Sequence, residues 1–383
     1  MEINQVYNIA NTLKQQYLGE SAVLQADLSN VVDIGNATFD LQHLDSYVRS
    51  LIDQVGKMVF VNRSYVGKTP KLMMDGWEYG AVLEKITYDG VPQAQKNDSW
   101  DLQDGQSYDQ NIFYKPTVSA KFFEKRNTFD IPMSFAERQV RSAFQSASQL
   151  NAFFSMIEST IQKSMTVKMD QLSEAAINNM IAITAAGANA NRAVNLLAKY
   201  NTAFSKSLTA AKAITDPEFI RYASYQISLW SERMQRLSTL FNAGGKERFT
   251  PPDKLHIVML SEFASAAKIY LQSDTYHDEL VRLPNAETVP YWQGSGTDYA
   301  FSATSKIHII PNDGTVSPSD VEVSGVLAVM FDRDAVGICN LDRRVTTHWN
   351  ARAEFYNNWY KFDAGYFNDP NENFVMFYVA DPT

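Results

Sequence analysis

The longest hydrophobic pattern in this chain predicts one long helix. From Leu150 to Met180, apolar residues recur at steps of three or four, which is the spacing of one face of a helix. No proline interrupts the pattern before Pro217, and Gly187 supplies a stop signal. Ser134 and Glu137 have the spacing of a capping box, so we expect the helix to begin there. About 40 residues at about 1.5 Å each give a strut of about 60 Å, much longer than an ordinary helix.

The N-terminal part of the chain predicts helices, an arm and strands. Residues 3–18 and 44–57 have helical periodicity, while residues 20–40 show neither period and predict an extended arm. Two interpretations are open for this part: a helical cap on a core, or an arm that packs on neighbouring subunits. Residues 58–66 and 81–88 then predict strands.

Residues 89–117 form a long polar stretch with turn signals such as Asp104-Gly105. A loop this long inside a compact domain is unusual and is normally functional or interacting. Its charges separate into an acidic limb and a basic limb that continues into the returning strand. The candidate contact residues are Asp98, Asp101, Asp104 and Asp109 on the acidic limb and Lys115, Lys121, Lys125 and Arg126 on the basic limb. This hairpin either bonds to copies of itself around a ring or is a solvated surface loop.

The second half of the chain predicts a compact α/β domain followed by two long strands. The elements expected in the domain are helices over 192–213 and 217–243, apolar strands over 255–260, 306–311 and 325–330, and a helix beginning at Ser261. Asp216 is the expected N-cap of the second helix, which ends at Gly244-Gly245. Residues 343–367 and 372–379 predict the closing strands, joined by a turn at 368–371.

The composition is that of an ordinary globular protein. The chain has 383 residues, of which 45% are apolar and 20% charged, a length typical of two or three domains. Cys339 is the single cysteine, which excludes an intrachain disulfide. The five histidines never pair at metal-ligand spacing. An aromatic content of 12% suggests extensive contact surfaces.

The net charge of −9 argues against sequence-specific binding of nucleic acid, which needs a basic footprint. It allows passive contact with packed nucleic acid. No apolar run reaches the roughly 18 residues that a membrane span needs. The N-terminus carries an acid early and lacks the apolar segment of a signal peptide. We therefore expect a soluble protein that is made inside the cell and has no membrane partner.

The motifs of known catalytic and nucleotide sites are incomplete in this chain. Val66-Gly67-Lys68-Thr69 resembles the end of a phosphate-binding loop, but Asn62 stands where that loop needs glycine. Gly294 to Thr297 has the wrong spacing for a nucleophile elbow or a dinucleotide site. Asp332, Asp334 and Asp342 are better explained as a solvated turn than as a cation site. His256 and His308 each lie in an apolar strand and are better explained as core histidines. We expect no catalytic, cofactor-binding or metal-binding residue.

The order of these parts resembles one known design, the major capsid protein of tailed bacteriophages with the Hong Kong 97-type fold. Residues 326–337 look like that family's apolar strand leading into a D-[KR]-D segment, here Asp332-Arg333-Asp334. Residues 345–350 and 355–359 look like the terminal strands of the capsid proteins of small short-tailed phages. Residues 22–86 are similar to the family in layout.

The resemblance implies an α+β phage capsid fold with an N-terminal arm, an extended β-hairpin loop, a long spine helix in a peripheral domain, and an α/β axial domain. The implied parts are residues 1–55 as the N-terminal arm, 56–79 as a strand region of the peripheral domain, 80–130 as the extended loop, 131–189 as the peripheral domain with its spine helix, 190–337 as the axial domain, and 338–383 as the C-terminal strands of the peripheral domain. On an adjacent subunit, the opposed charges of the extended loop would set its register.

The resemblance also implies a structural protein, not an enzyme, that self-assembles into the icosahedral head shell around the phage genome. The implied partners are copies of itself in pentamers and hexamers, a scaffolding protein, a portal protein, and packaged double-stranded DNA that it contacts non-specifically. The chain would belong to the virion and assemble in the host cytoplasm. Two alternatives stay open: an encapsulin-like nanocompartment shell protein, and a soluble α/β hydrolase or binding protein.

Overall fold

A computed structural model describes most of the chain after residue 71. The described residues are 72–74, 83–88, 90–92, 94, 97–108, 111, 113–115, 117–123, 125–138, 147–272, 286–290, 292, 306–309 and 321–381. The helices, arm and strand predicted before residue 72 lie outside them, as do the motifs at Val66–Thr69 and Gly294–Thr297.

The described elements begin with four strands and end with seven, and five α-helices and two further strands lie between them along the chain. The strands are β1 (Met73–Met74), β2 (Leu83–Tyr88), β3 (Val118–Phe123), β4 (Arg126–Ala136), β5 (Ala193–Asn195), β6 (Leu255–Leu260), β7 (Ala286–Val289), β8 (Lys306–Ile309), β9 (Val321–Ser324), β10 (Val326–Asp332), β11 (Val336–Asn350), β12 (Phe355–Asn368) and β13 (Phe374–Tyr378). The α-helices are α1 (Ala147–Ala186), α2 (Leu196–Phe204), α3 (Ala210–Ala213), α4 (Pro217–Met234) and α5 (Ser261–Gln272).

The chain divides into two compact units that are not contiguous in sequence. The first unit comprises residues 1–68, 126–172 and 339–365, and the second comprises residues 69–125, 173–338 and 366–383. Helix α1 and strands β11 and β12 each contain residues of both units. The chain therefore passes from one unit to the other several times.

In the first unit, β12 lies between β11 and β4 in one sheet. It pairs with β4 in antiparallel register, from Phe355 opposite Ala136 to Gly365 opposite Arg126. Buried and partly exposed residues alternate along its first half, and the buried ones are Tyr356, Asn358, Tyr360 and Phe362. The Phe362 ring stacks on that of Phe129 with centroids 5.0 Å apart. Period-two alternation thus gives this sheet one packed face.

The prediction of one long strand over residues 343–367 is wrong. A turn at residues 351–354 separates β11 from β12. The Asn350 side chain makes this turn by accepting hydrogen bonds from the backbone N–H groups of Arg352 and Ala353, at 3.1 and 3.2 Å. Glu354 adopts a φ of 51°. Residues 350–354 contain no Gly or Pro, and the Asn350 side chain forms the turn instead. The sequence pattern therefore shows no break between the two strands.

Helix α1 has 40 residues and confirms the long helix that the periodicity predicts. Its buried stripe includes Ile157, Ile161, Met165, Met169, Leu172, Ala176 and Met180. The helix ends directly before the expected stop at Gly187. No helix in the described part of the chain is long and apolar enough to cross a membrane.

The predicted capping box at Ser134 is wrong. Ser134 lies in β4 opposite Asn357, and its hydroxyl donates a hydrogen bond to Asn357 Oδ1 at 2.6 Å. Strand β4 continues to Ala136, so Ser134 is committed to the sheet. The pairing with β12 overrides the local capping signal because it satisfies both backbone and side chain.

The second unit is built on a five-stranded sheet of order β5-β13-β10-β6-β7. Central strand β10 is buried along its whole length and pairs antiparallel with both β13 and β6. The strands predicted at 255–260 and 325–330 and the helix predicted at Ser261 are therefore confirmed. His256 lies in this core, where its ring stacks on Phe331 at 5.9 Å, whereas the side chain of His308 lies outside the description.

The helices predicted over 192–213 and 217–243 are shorter than expected. Strand β5 precedes α2, whose N-cap Asn195 accepts the Ala198 N–H at 3.1 Å. Ser205, with a φ of 52°, ends α2, and α3 follows separately. Asp216 caps α4 as predicted, but α4 ends at Met234. Beyond α4, Phe241 fills the core from a loop while Leu237 and Leu240 are exposed, so apolar residues continue at helical spacing without a helix.

The sequence did not predict the pairing partners of two strands, and the structure provides them. Strand β8, predicted as part of the α/β domain, pairs with β9 in a separate two-stranded ribbon. Strand β13, grouped by sequence with the closing strands, lies in the five-stranded sheet beside β10. The turn predicted at 368–371 precedes it. Pairing partners far apart in sequence leave no local signal, so periodicity alone does not assign a strand to its sheet.

The junction between β9 and β10 supplies a test of close packing. Gly325 has a φ of 70°, and a Cβ there would overlap the Val379 carbonyl oxygen. We expect Gly325→Ala to lower the free energy of unfolding by roughly 2–4 kcal/mol, from left-handed strain plus displacement of the chain after β13. Urea unfolding of the unassembled chain measures this.

Gly105→Ala is the matched control. Gly105 has a φ of 81° but open space around the added Cβ, so only the strain of about 1 kcal/mol applies. Equal losses in the two variants would contradict the proposed overlap at Gly325.

Candidate assembly surface

Strands β2 and β3 form a two-stranded antiparallel ribbon with an exposed apolar face. Glu84 lies opposite Phe122, and Tyr88 lies opposite Val118. Because side chains alternate between the two faces of a ribbon, these residues share one face with Ile86. Ile86 is 64% exposed and Phe122 is 61% exposed. We call the exposed apolar side chains of this ribbon the outer face: Ile86, Tyr88, Val118 and Phe122.

The opposite, inner face of the ribbon is partly buried and mostly polar. It carries Lys85, Thr87, Ser119 and Lys121, and at one end the apolar pair Leu83 and Phe123, of which Phe123 is buried. The hydroxyls of Thr87 and Ser119 are 3.1 Å apart across the strands. An ordinary amphipathic ribbon packs its apolar face on the core and leaves the polar face in water. Beyond that apolar pair, this ribbon does the reverse.

A cluster of ion pairs binds the inner face to the turn after β12. Lys85 Nζ lies 2.9 Å from Asp369 Oδ2 and 2.8 Å from Glu372 Oε1. Lys121 Nζ lies 3.3 Å from Asp369 Oδ1. Arg248 Nε lies 3.1 Å from Glu372 Oε1. We call these residues the ion cluster, and it fixes the direction in which the ribbon faces.

Asp369 is the most buried member of the ion cluster, with a side chain only 3% exposed. Burial raises the pKa of its carboxyl, but the charge and hydrogen bond of Lys85 and the charge of Lys121 outweigh that effect. The pKa of Asp369 therefore lies below its ordinary value. Its carboxylate also accepts the backbone N–H of Asn371 at 3.1 Å, which ties the charge to the turn itself.

The loop beyond the ribbon is anchored at one end and turns where the sequence predicts. The backbone N–H of Val91 donates to Glu247 Oε2 at 2.7 Å. Gln106 N–H donates to the Gln103 carbonyl at 3.4 Å, which closes a turn around Asp104-Gly105. Gly105 supplies the positive φ that the third position of such a turn requires.

Large apolar side chains are exposed along this loop as well. Trp100, in a short 3₁₀ helix at Asp98–Trp100, is 95% exposed. Other exposed side chains of the loop are Val91, Leu102, Tyr108, Phe113 and Tyr114. An accumulation of this size on one segment marks an interaction surface.

The charged residues predicted as contacts occupy three different environments. Asp101, Asp104 and Lys115 are exposed on the loop. Lys121 faces inward and pairs with Asp369, so its charge is used within the chain.

The remaining predicted contacts lie beyond the ribbon or outside the described side chains. Lys125 and Arg126 are exposed after β3, and Arg126 opens β4 in the first unit. Asp109 and the side chain of Asp98 lie outside the description. Contact of these charged residues with another copy stays a prediction.

Sequence reasoning identified the hairpin but missed its apolar outer face and the ion cluster. The signal was present in the alternation of 84–88 and 118–122, where lysines occupy one face and large apolar residues the other. The charges of the hairpin divide by limb as well, and only that division was used in the prediction. The carboxylate partners at Asp369 and Glu372 have no local signal.

The carboxylates at the end of β10 have protein partners of their own. Asp334 pairs with Lys254 Nζ at 2.9 Å. Asp332 is buried, which raises its pKa, and its side chain accepts the Asp334 N–H at 2.9 Å. Asp342 has no described side chain. Within the described residues, no group of three or more His, Cys, Asp or Glu side chains is arranged to hold a metal ion.

Comparison with known proteins identifies the family and the fold. The model of the Phi29-like phage major capsid protein family matches residues 6–378. No curated protein sequence matches the chain significantly.

Two solved structures have a similar fold. A chain in the capsid structure of Staphylococcus phage Andhra is 10% identical, with a TM-score of 0.53 over 84% of this chain and 87% of that one. A chain in the structure of the head fiber and inner core protein gp22 of native bacteriophage P68 is 12% identical, with a TM-score of 0.51 over 83% and 87%. At these identities the similarities show the fold alone, and the predicted α+β phage capsid fold is confirmed.

Removal of one lysine from the ion cluster tests its contribution. Lys85→Met leaves Asp369 and Glu372 buried with fewer charged hydrogen bonds, so we expect the free energy of unfolding to fall by roughly 2–3 kcal/mol. Lys254→Met is the matched control, because Lys254 and its partner Asp334 are both largely exposed and the loss is at most about 1 kcal/mol. Chemical unfolding of the unassembled chain compares them, and equal effects would contradict the cluster's role.

The lowered pKa of Asp369 predicts how this stabilisation depends on pH. The unfolded chain binds the proton more tightly, so the stabilisation is fully present above the ordinary Asp pKa of about 3.9. It is lost as the pH falls through the lower pKa of the folded state. In Asp369→Asn we expect a shallower fall of stability below about pH 4 than in the native chain. Thermal unfolding across this range measures it; parallel profiles would contradict the assignment.

Proposed function

The chain belongs to the Phi29-like phage major capsid protein family, and we propose that the outer face and the loop 89–117 are the surface by which one copy binds the next. As a major capsid protein it assembles with copies of itself into the head shell and is part of the virion. The family's role is structural. This membership favours a phage head over the encapsulin-like shell and the hydrolase or binding protein.

The observation that carries the proposal is that the β2–β3 ribbon exposes its outer face and turns its lysines toward the rest of the chain. Fully burying a side chain the size of Ile, Val or Phe stabilises by roughly 1.5–3 kcal/mol. Within one copy the side chains of the outer face do not gain this stabilisation, because Ile86 and Phe122 are mostly exposed to water. A second copy that covers this face supplies the missing burial, and the exposed aromatic side chains of the loop extend the same contact.

The charged residues of the loop would then orient this contact. Asp101, Asp104 and Lys115 are exposed beside the apolar side chains. Complementary charge at the rim of an interface chiefly affects specificity and association rate. We therefore propose that the charged residues set the register of one copy on the next and that the apolar side chains provide the affinity. The same role extends to Asp98, Asp109, Lys125 and Arg126 as predicted contacts, while Lys121 supports the ribbon from within.

We further propose the peripheral and axial assignment of the chain. The grouping of 126–172 with 339–365 in one compact unit supports a peripheral domain made of the long helix and the closing strands. Residues 190–337 form the proposed axial domain, and all of them lie in the other unit. Residues 366–383 also group with that unit, so the C-terminal strands would join both domains.

The finer partners are proposals that follow from the family. Copies would gather in pentamers and hexamers, with a scaffolding protein during assembly and a portal protein at one vertex. Packaged double-stranded DNA would be contacted non-specifically. The net charge of −9 supports weak contact, because a shell that gripped phosphates tightly would hinder packaging and release.

A double substitution on the outer face tests the assembly role. We expect Ile86→Glu with Phe122→Lys to fold with unchanged unfolding temperature, because both side chains are exposed and the new lysine lies opposite Glu84, but to form no shells. The control is Ile269→Glu in α5, an exposed apolar residue outside the ribbon, which should assemble as the native chain does. Sedimentation velocity and negative-stain microscopy under the conditions that give native shells measure the yield.

Deletion of residues 89–115 is the companion experiment. The ribbon and its ion cluster remain, so we expect a folded chain that builds no closed shells. Normal shells from both the deletion and the double substitution would overturn the proposal.

A further inference from the structure

We propose that residues 235–250 of one copy, which we call the receptor loop, bind the acidic limb of the hairpin, residues 97–104, of the next copy. This inference rests on the proposed function and names the partner of that surface. Both segments lie in the second unit.

The receptor loop is braced from several sides. Ser238 and Arg248 form an antiparallel bridge with N···O distances of 2.9 and 3.0 Å. The Asn242 side chain makes two hydrogen bonds to the backbone of Lys246, at 2.7 and 2.8 Å. Ala243 N–H donates to the Pro370 carbonyl at 2.8 Å. These bonds hold the loop in one conformation, with Phe241 beneath it in the core.

This braced loop nevertheless presents large apolar side chains to water. Leu237, Leu240 and Phe249 are exposed. Because the Ser238–Arg248 bridge is antiparallel, Leu237 and Phe249 are the next opposed pair and lie beside each other. A flexible loop could turn such side chains inward, but a braced one cannot. Their exposure therefore indicates a contact made outside the single copy.

The charges of the two segments are of opposite sign. The receptor loop has three cations (Arg236, Lys246 and Arg248) and one carboxylate (Glu247), and of these cations Arg248 pairs with Glu372 within the copy. The acidic limb has three carboxylates (Asp98, Asp101 and Asp104) and no cation. Trp100 and Leu102 alternate with those carboxylates and are exposed. Each segment thus offers apolar side chains framed by charge, with complementary signs.

The large apolar side chains of both segments stay exposed within one copy. Trp100 is 95% exposed and Leu240 is 49% exposed, so these side chains of one copy do not cover each other. Among the described residues, the hydrogen bond from Val91 N–H to Glu247 joins the base of the chain's own hairpin to the loop. Two different complementary patches on one chain make a heterologous contact, which repeats from copy to copy and gives a ring when the rotation between copies closes. The occupant is therefore a second copy.

Cross-linking of substituted cysteines tests the pairing directly. We expect Leu102→Cys with Leu240→Cys to give chains linked in series by a short bis-maleimide in assembled shells, and no linkage in the unassembled chain. Leu102→Cys with Ile269→Cys is the matched control and should give none. Cys339 is buried, and Leu102→Cys alone reports any linkage through it.

A charge exchange provides a second, independent readout. Asp101→Arg or Arg236→Asp alone should lower the yield of shells at least about tenfold, since each places like charges together. The combined variant should recover most of the native yield. Equal, unrecovered losses would mean that the two residues do not meet.

The outcomes separate this inference from the proposed function. If the outer-face variant forms no shells, while the cysteines never link and the single charge variants assemble normally, the receptor loop is the wrong partner and the assembly role of the hairpin stands. If the outer-face variant assembles normally, the proposed function fails, and the inference fails with it. Serial linkage together with recovery in the charge exchange supports both.

Discussion

The ion cluster beneath the β2–β3 ribbon is the interaction on which the assembly surface depends. Alternation places Lys85 and Lys121 on one face and Ile86 and Phe122 on the other, so lysines turned inward leave the apolar side chains outward. Hydrophobic burial within one copy favours the opposite choice. The ion pairs of Lys85 with Asp369 and Glu372 keep the lysines inward. Burying these carboxylates without a lysine would cost more free energy than leaving the apolar side chains in water.

The turn 369–372 also supports the receptor loop, so both proposed halves of the contact between copies share one base. Glu372 binds Lys85 of the ribbon and Arg248 of the receptor loop, and Pro370 accepts a hydrogen bond from Ala243. A ring closes only if the two complementary patches of each copy keep a constant relation. The turn 369–372 binds both the ribbon and the receptor loop. It therefore fixes the position of the start of the hairpin relative to the receptor loop of the same copy.

The elements that sequence predicts well are those whose signal is local. The long helix follows from an uninterrupted period, and the turn at Asp104-Gly105 from its own chemistry. Failures occur where a distant partner or an unusual turn residue prevails. Ser134 has a capping signal but pairs with β12 instead. Asn350 turns the chain with its side chain, so residues 343–367 read as one strand.

The sequence by itself determined the long helix and the existence of a long charged hairpin, because periods of 3.6 and 2 and turn chemistry act over a few residues. The family followed from the order of the parts and from short motifs such as Asp332-Arg333-Asp334. Only the tertiary structure decided which face of the ribbon meets water. Alternation is symmetric between the two faces, and the carboxylate that breaks the symmetry, Asp369, lies 248 residues from Lys121 along the chain. No local pattern carries a choice made by a partner that distant.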